Sequence, residues 1–141
     1  METSFHDGQY LLVNKLSYHF GSLERGDVII FHYPPNPGQL YIKRIVGLPQ
    51  ERVEIRDGEV YINGKLLEEP ICIHSTYPEG NNTPMTVPPD EYFVLGDNRN
   101  HSSDSRSWGT VPRENIVGEV WLCYWPPGEW GLSPGYEATL R

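Results

Sequence analysis

No stretch of the chain approaches the roughly 18 to 20 consecutive apolar residues that a membrane-spanning helix needs, and no charged-then-apolar leader opens it. The residues as written are therefore expected neither to span a membrane nor to direct export. Cysteine is scarce as well: Cys72 and Cys123 stand far apart without a CxxC, which excludes a disulfide framework or a zinc site and reads as two free, partly buried thiols. The histidines, at 6, 19, 32, 74 and 101, show neither HxxxH nor HExxH spacing, so neither a metal nor a cofactor is expected. Basic charge is short, with 11 Lys and Arg against 19 Asp and Glu and a net charge of −8. Without a basic stripe interleaved with aromatics, nucleic-acid binding is excluded. Long runs at helical spacing are also missing.

What is abundant is turn chemistry: 14 glycines and 13 prolines in 141 residues. Together they predict many short strands joined by turns, hence a mostly β fold, in a chain sized for one domain. Mean hydropathy of −0.51 with 38% hydrophobic residues reads as soluble. In order, the expected strands are Gln9 to Leu16, Val28 to Tyr33 (apolar on both faces) and Tyr41 to Val46, the last closed by Gly47-Leu48-Pro49. Arg52 to Arg56 and Glu59 to Ile62 alternate around Asp57-Gly58, with Asn63-Gly64 as a second turn, and read as a solvent-facing β-ribbon, half buried at most. Residues 68–90, rich in proline, read as an irregular excursion with one short strand near Ile71 to His74. Glu91 to Leu95 and Gly118 to Trp125 complete the strands. Trp121 and Trp125 share a strand face that reads either as core or, with Tyr124 and Trp130, as an interfacial aromatic cluster; Trp121 reads as core and Trp130 stays open.

Two places can carry chemistry. Lys43 sits mid-strand, sharing a face with Tyr41 and Ile45. Either its stem lies on apolar surface with the amine in water, or the amine is desolvated until its neutral form can act as a base near neutral pH. The second place is the loop at 96–109, which holds two aspartates, two arginines, four serines and a histidine between Gly96 and Gly109. It is either a well-capped surface loop or a site held by the apolar strand that enters it. Within it, Asp104 and Arg106 suit a bidentate pair that would fix Ser102.

Arg25-Gly26-Asp27-Val28-Ile29-Ile30-Phe31, then Tyr41 to Pro49, then Gly96-Asp97-Asn98-Arg99 with Ser102, Asp104-Ser105-Arg106 and Gly109, resemble in order and spacing the signature boxes of bacterial type I signal peptidases. The opening Met1-Glu2-Thr3-Ser4-Phe5 resembles the family's serine box, Ser-Met-x-Pro-Thr-Leu, entered one residue late. The resemblance covers essentially the whole chain. It implies a coiled β-sheet or barrel catalytic domain over residues 1–141, with an inserted β-ribbon subdomain at about 50–92. It also implies a Ser-Lys dyad protease, without metal or cofactor, that removes signal peptides from exported preproteins. The expected location is the outer side of the cytoplasmic membrane, at the membrane surface and tied there by an anchor.

By the same resemblance Lys43 is the general base, Ser102 orients it, and Asp104 with Arg106 braces the loop. Met1, Phe5, Leu11, Ile30 and Ile42 fall where the family lines its substrate pockets. Two departures from the family pattern stand out. The nucleophilic serine would directly precede Met1, so the expectation is a chain truncated just after it and inactive as written. Ser4 as a stand-in would lie beyond hydrogen-bond reach of Lys43 after a three-residue slip. In addition, Thr3 and Ser4 replace Pro and Thr, and Gln50-Glu51 replaces Gly-Asp. Two other readings stay open: a repressor-type Ser-Lys autoprotease and a non-catalytic peptide-binding module.

Overall fold

Alternating side chains on short, turn-bounded segments assemble into two antiparallel sheets in the computed structural model, which describes residues 10–14, 22–69, 82–125, 131–132 and 139–140. The strands are β1 (Tyr10–Asn14), β2 (Val28–His32), β3 (Leu40–Gly47), β4 (Arg52–Arg56), β5 (Glu59–Ile62), β6 (Lys65–Glu68), β7 (Asn82–Thr86), β8 (Glu91–Leu95), β9 (Val111–Pro112), β10 (Ile116–Trp125), β11 (Gly131–Leu132) and β12 (Thr139–Leu140). Helix is confined to one turn, α1 (Ser105–Trp108), and to 3₁₀ turns at Arg99–His101 and Arg113–Asn115. One sheet runs β1-β10-β2-β3-β8-β9, with β11 also on β10, and the other runs β12-β6-β5-β4-β7. The fold is mostly β, as expected, but the first sheet is an open path, and no closed barrel forms among the described residues.

The first sheet buries one face through Ile29, Phe31, Ile45, Tyr92, Val94, Val111 and Ile116, with Tyr41 and Trp108 packed on the rim. Its other face is covered by the second sheet. There Val46, Phe93 and Leu95 pack with Val53, Ile55, Val60, Ile62, Leu67 and Val87. This corrects the reading of residues 52–62 as a ribbon half buried at most. Alternation does put polar residues outward, but the inward set is fully buried because β6, β7 and β12 widen the ribbon into a sheet that covers β3 and β8.

Gly47 lies where the two sheets meet. A Cβ there would come within 2.6 Å of Val53 Cγ2 and 2.9 Å of Phe93 Cβ, so only glycine fits. Both hairpin turns take the left-handed pair that a tight two-residue connection demands, with φ of 52° and 82° at Asp57-Gly58 and 51° and 82° at Asn63-Gly64.

The excursion expected over 68–90 also needs correction, since β7 pairs with β4 despite Pro84. A proline is tolerated because β7 is the sheet's edge strand and its register with β4 shifts between Val53 and Ile55. The strand expected at Ile71 to His74 lies outside the described residues, as do Met1, Ser4, Phe5, Cys72 and Trp130. So do the side chains of Leu11, Trp121, Cys123 and Trp125.

Candidate active site

Lys43 sits in the middle of β3 directly opposite Ile29 of β2, on the face whose other members join the apolar core. Its side chain is half buried. Burial pushes its ammonium below the ordinary lysine value, against the attraction of the Asp104 and Asp97 carboxylates, and the Arg106 guanidinium adds to the depression. The amine lies 5.6 Å from the centre of the Tyr41 ring. That ring is fixed in turn by stacking on Tyr33 at 4.3 Å and 10°, with Trp108 edge-on to both.

The loop after β8 brings Ser102 to this amine. A Cβ added at Gly96 would lie 2.1 Å from Ser102 Oγ and 3.7 Å from Lys43 Nζ, so hydroxyl and amine converge on the bare Cα of one glycine. Ser102 Oγ is buried and has no hydrogen-bond partner among the described residues, so the bond to the Lys43 amine that the resemblance implies is not made here. Alanine at position 96 would drive into Ser102. Gly96→Ala is therefore expected to lower stability by about 1–3 kcal/mol, measured by denaturant unfolding.

The loop is held by charge. Asp104 caps α1, accepting from Arg106 N at 3.2 Å, and grips the Arg106 guanidinium through Nε to Oδ1 at 2.8 Å and Nη2 to Oδ2 at 2.9 Å. Its Oδ2 also accepts the Gly96 amide at 3.1 Å. Two further ion pairs are invisible in local sequence. Arg44, beside Lys43 but on the other face, is bidentate to Asp97 with both bonds at 2.9 Å and donates to the Gly26 carbonyl at 2.7 Å. Arg99 forks onto Glu69 at the end of β6, with Nη1 to Oε2 at 2.8 Å and a shorter Nη2 to Oε1 bond, and turns Nε to the Gly96 carbonyl at 3.0 Å. An arginine in an apolar strand is a signal that a carboxylate must meet it, but partners 53 and 30 residues away cannot be picked from spacing.

Glu51, which departs from the family pattern, has a visible use. It takes Arg25 through bonds of 2.8 and 2.6 Å and accepts the Leu48 amide at 2.8 Å, closing the turn after β3.

Of the five residues expected to line substrate pockets, Ile30 and Ile42 are register partners, both half buried against Val28 and Val120. They occupy the face of the first sheet opposite to Lys43, Ile30 on β2 and Ile42 on β3. Met1, Phe5 and the Leu11 side chain lie outside the described residues. Among those residues no cluster of three or more His, Cys, Asp and Glu comes together, and no helix is long and apolar enough to cross a membrane.

A family model described as signal peptidase, peptidase S26, matches residues 1–125. Signal peptidase I of Leptolyngbya laminosa is 44% identical over 89% of this chain and 66% of that relative's length. The probable signal peptidase I-2 of a Synechocystis strain is 41% identical over 94% and 62%. Signal peptidase IB of Staphylococcus aureus is 35% identical over 99% and 80%. The chain thus spans about two thirds of the length of the cyanobacterial proteins it matches. The crystal structure of a signal peptidase I from Enterococcus faecalis superposes with a TM-score of 0.57 at 38% identity, over 70% of this chain and 97% of that one. The order of the motifs and the mostly β fold agree with these matches, and the chain belongs to the S26 family of signal peptidases.

Proposed function

We propose that this chain is catalytic machinery of a type I signal peptidase, an endopeptidase that removes signal peptides from exported preproteins. Its reaction uses Lys43 as the general base for a serine placed just upstream of Met1. The observation that carries this reading is the desolvated Lys43 amine converging with the unpartnered Ser102 hydroxyl over Gly96. A neutral amine accepts the serine proton as the serine oxygen attacks the scissile carbonyl, and returns it to the leaving amine as the peptide bond breaks. Water then enters by the same route and hydrolyses the acyl-enzyme. The dyad handles both proton transfers, Ser102 orients the amine, and the Asp104–Arg106 pair keeps Ser102 in place.

In this reading Ile30 and Ile42 belong to the substrate pockets, where apolar bulk admits small side chains and excludes large ones. The work is done at the outer surface of the cytoplasmic membrane, with an anchor tying the enzyme there.

The test is cleavage of a preprotein by the chain extended upstream to include a Ser-Met junction. Cleavage that disappears on Lys43→Ala and on changing that serine to alanine is the expected result. Cleavage indifferent to either change would overturn the proposal, and binding of signal peptide without cleavage would mark a peptide-binding module instead.

A further inference from the structure

We propose that Glu69 is a positioning residue for the dyad: from the end of β6 in the second sheet it holds Arg99, and through Arg99 it sets Gly96 and Ser102 against the Lys43 amine. The inference rests on the Ser-Lys reading above. Gly96 is the point of contact, and both of its backbone polar groups are taken by side chains. Its amide donates to Asp104 Oδ2 at 3.1 Å, and its carbonyl accepts Arg99 Nε at 3.0 Å. The two holds are linked, since Arg106, bound to Asp104, also donates Nη2 to the Arg99 carbonyl at 2.7 Å. Arg99 can point Nε at Gly96 because its two terminal nitrogens are both engaged by the Glu69 carboxylate.

Stability alone does not explain this arrangement. Both side chains are about 3% exposed, and a buried ion pair is commonly no better for stability than apolar residues of the same size. What an apolar pair lacks is a donor with a fixed direction, and here that direction is the Gly96 carbonyl. A carboxylate on the second sheet thereby reaches the reacting groups, giving that sheet a part in catalysis beyond covering the core. Among the described residues, the charges that act on the Lys43 amine are the Asp104 and Asp97 carboxylates and the Arg106 guanidinium, with the Tyr41 ring on its own strand, Ile29 opposite on β2 and the Ser102 hydroxyl across Gly96. Loosening Gly96 and Ser102 admits water among them, so the amine should become more basic.

The experiment uses the chain extended upstream to include a Ser-Met junction. Glu69→Gln leaves a buried Arg99 charge against a neutral partner and will lose folded protein, so it is paired with the apolar exchange Glu69→Leu/Arg99→Met, which removes both charges. The double variant is expected to recover a melting temperature near wild type and still lose about tenfold to a hundredfold in kcat with KM within about twofold. The acid limb of its kcat/KM profile should move to higher pH. The Lys43 amine, followed by ¹⁵N NMR without substrate, should titrate at higher pH too. A double variant of wild-type stability with wild-type kcat and unmoved Lys43 titration would overturn the proposal, as would a kcat loss that only follows the folded fraction. Because the titration needs no substrate, a moved titration in a chain that never cleaves would sink the protease reading and leave Glu69 a positioning residue.

Discussion

Replacing Lys43 by methionine should make the fold more stable at neutral pH and, in the chain extended upstream to a Ser-Met junction, abolish the proposed hydrolysis. The loss of hydrolysis is what the proposed role of Lys43 as general base requires, at least about 10² to 10⁴ in rate. The gain in stability follows from where the amine sits. Burial holds its folded-state pKa below the ordinary lysine value of 10.5 that it keeps when unfolded. At pH values below the lowered pKa both states carry the proton, and the folded state bears the full penalty of a desolvated ammonium. As pH rises through the lowered value the folded state releases its proton first and the penalty fades, and above 10.5 both states are neutral and nothing remains of it. The advantage of Lys43→Met should therefore be largest near neutral pH and below, and shrink as pH climbs toward 10.5. Denaturant midpoints across that range check it. A variant less stable than wild type at pH 7 would mean that the attraction of Asp104 and Asp97 outweighs desolvation.

Asp97→Asn should be the most damaging single change to the fold. Arg44 and Asp97 are each about 1% exposed and joined by two bonds of 2.9 Å. Neutralising one partner strands the other charge out of water, at a cost of about 3–5 kcal/mol. In a chain of this size that should lower the melting temperature by roughly 10 °C or more. Removing both charges together, as Arg44→Leu/Asp97→Leu, should restore most of the loss, since the damage comes from the unpaired ion rather than the missing bond. Calorimetry of the single and double variants separates the two causes, and a double variant no better than the single would sink this account. Asp97→Asn should also shift the Lys43 titration further down, because the lost carboxylate favoured the charged amine. That is opposite in sign to the shift expected when the hold on Gly96 is released.

Much of the strand plan was legible in the chain because strand and turn rules act over a few residues. Asp57-Gly58 and Asn63-Gly64 are hairpin turns for reasons contained in the turns themselves, and alternation alone put Tyr41, Lys43 and Ile45 on one face. The proline at position 84 misled, since its missing amide argues against a strand only where a neighbour needs that amide, and among the described residues β7 lies at a sheet edge with no strand on that side. The depth of residues 52–62 misled in the same way: alternation says which side chains point inward but not whether a second layer waits there.

Residue types and spacing also singled out two places, a lysine on an apolar strand and a serine in a loop dense with charge, that the fold brings near each other. They could not say that Ser102 would meet the Lys43 amine, because that meeting depends on β8 lying beside β3 and on Gly96 offering no side chain between them. Nor could they pair Arg44 with Asp97 or Arg99 with Glu69. Local backbone preferences are written in neighbouring residues, whereas desolvation and ion pairing depend on what distant segments bring to the same few ångströms, and that is set only when the two sheets pack.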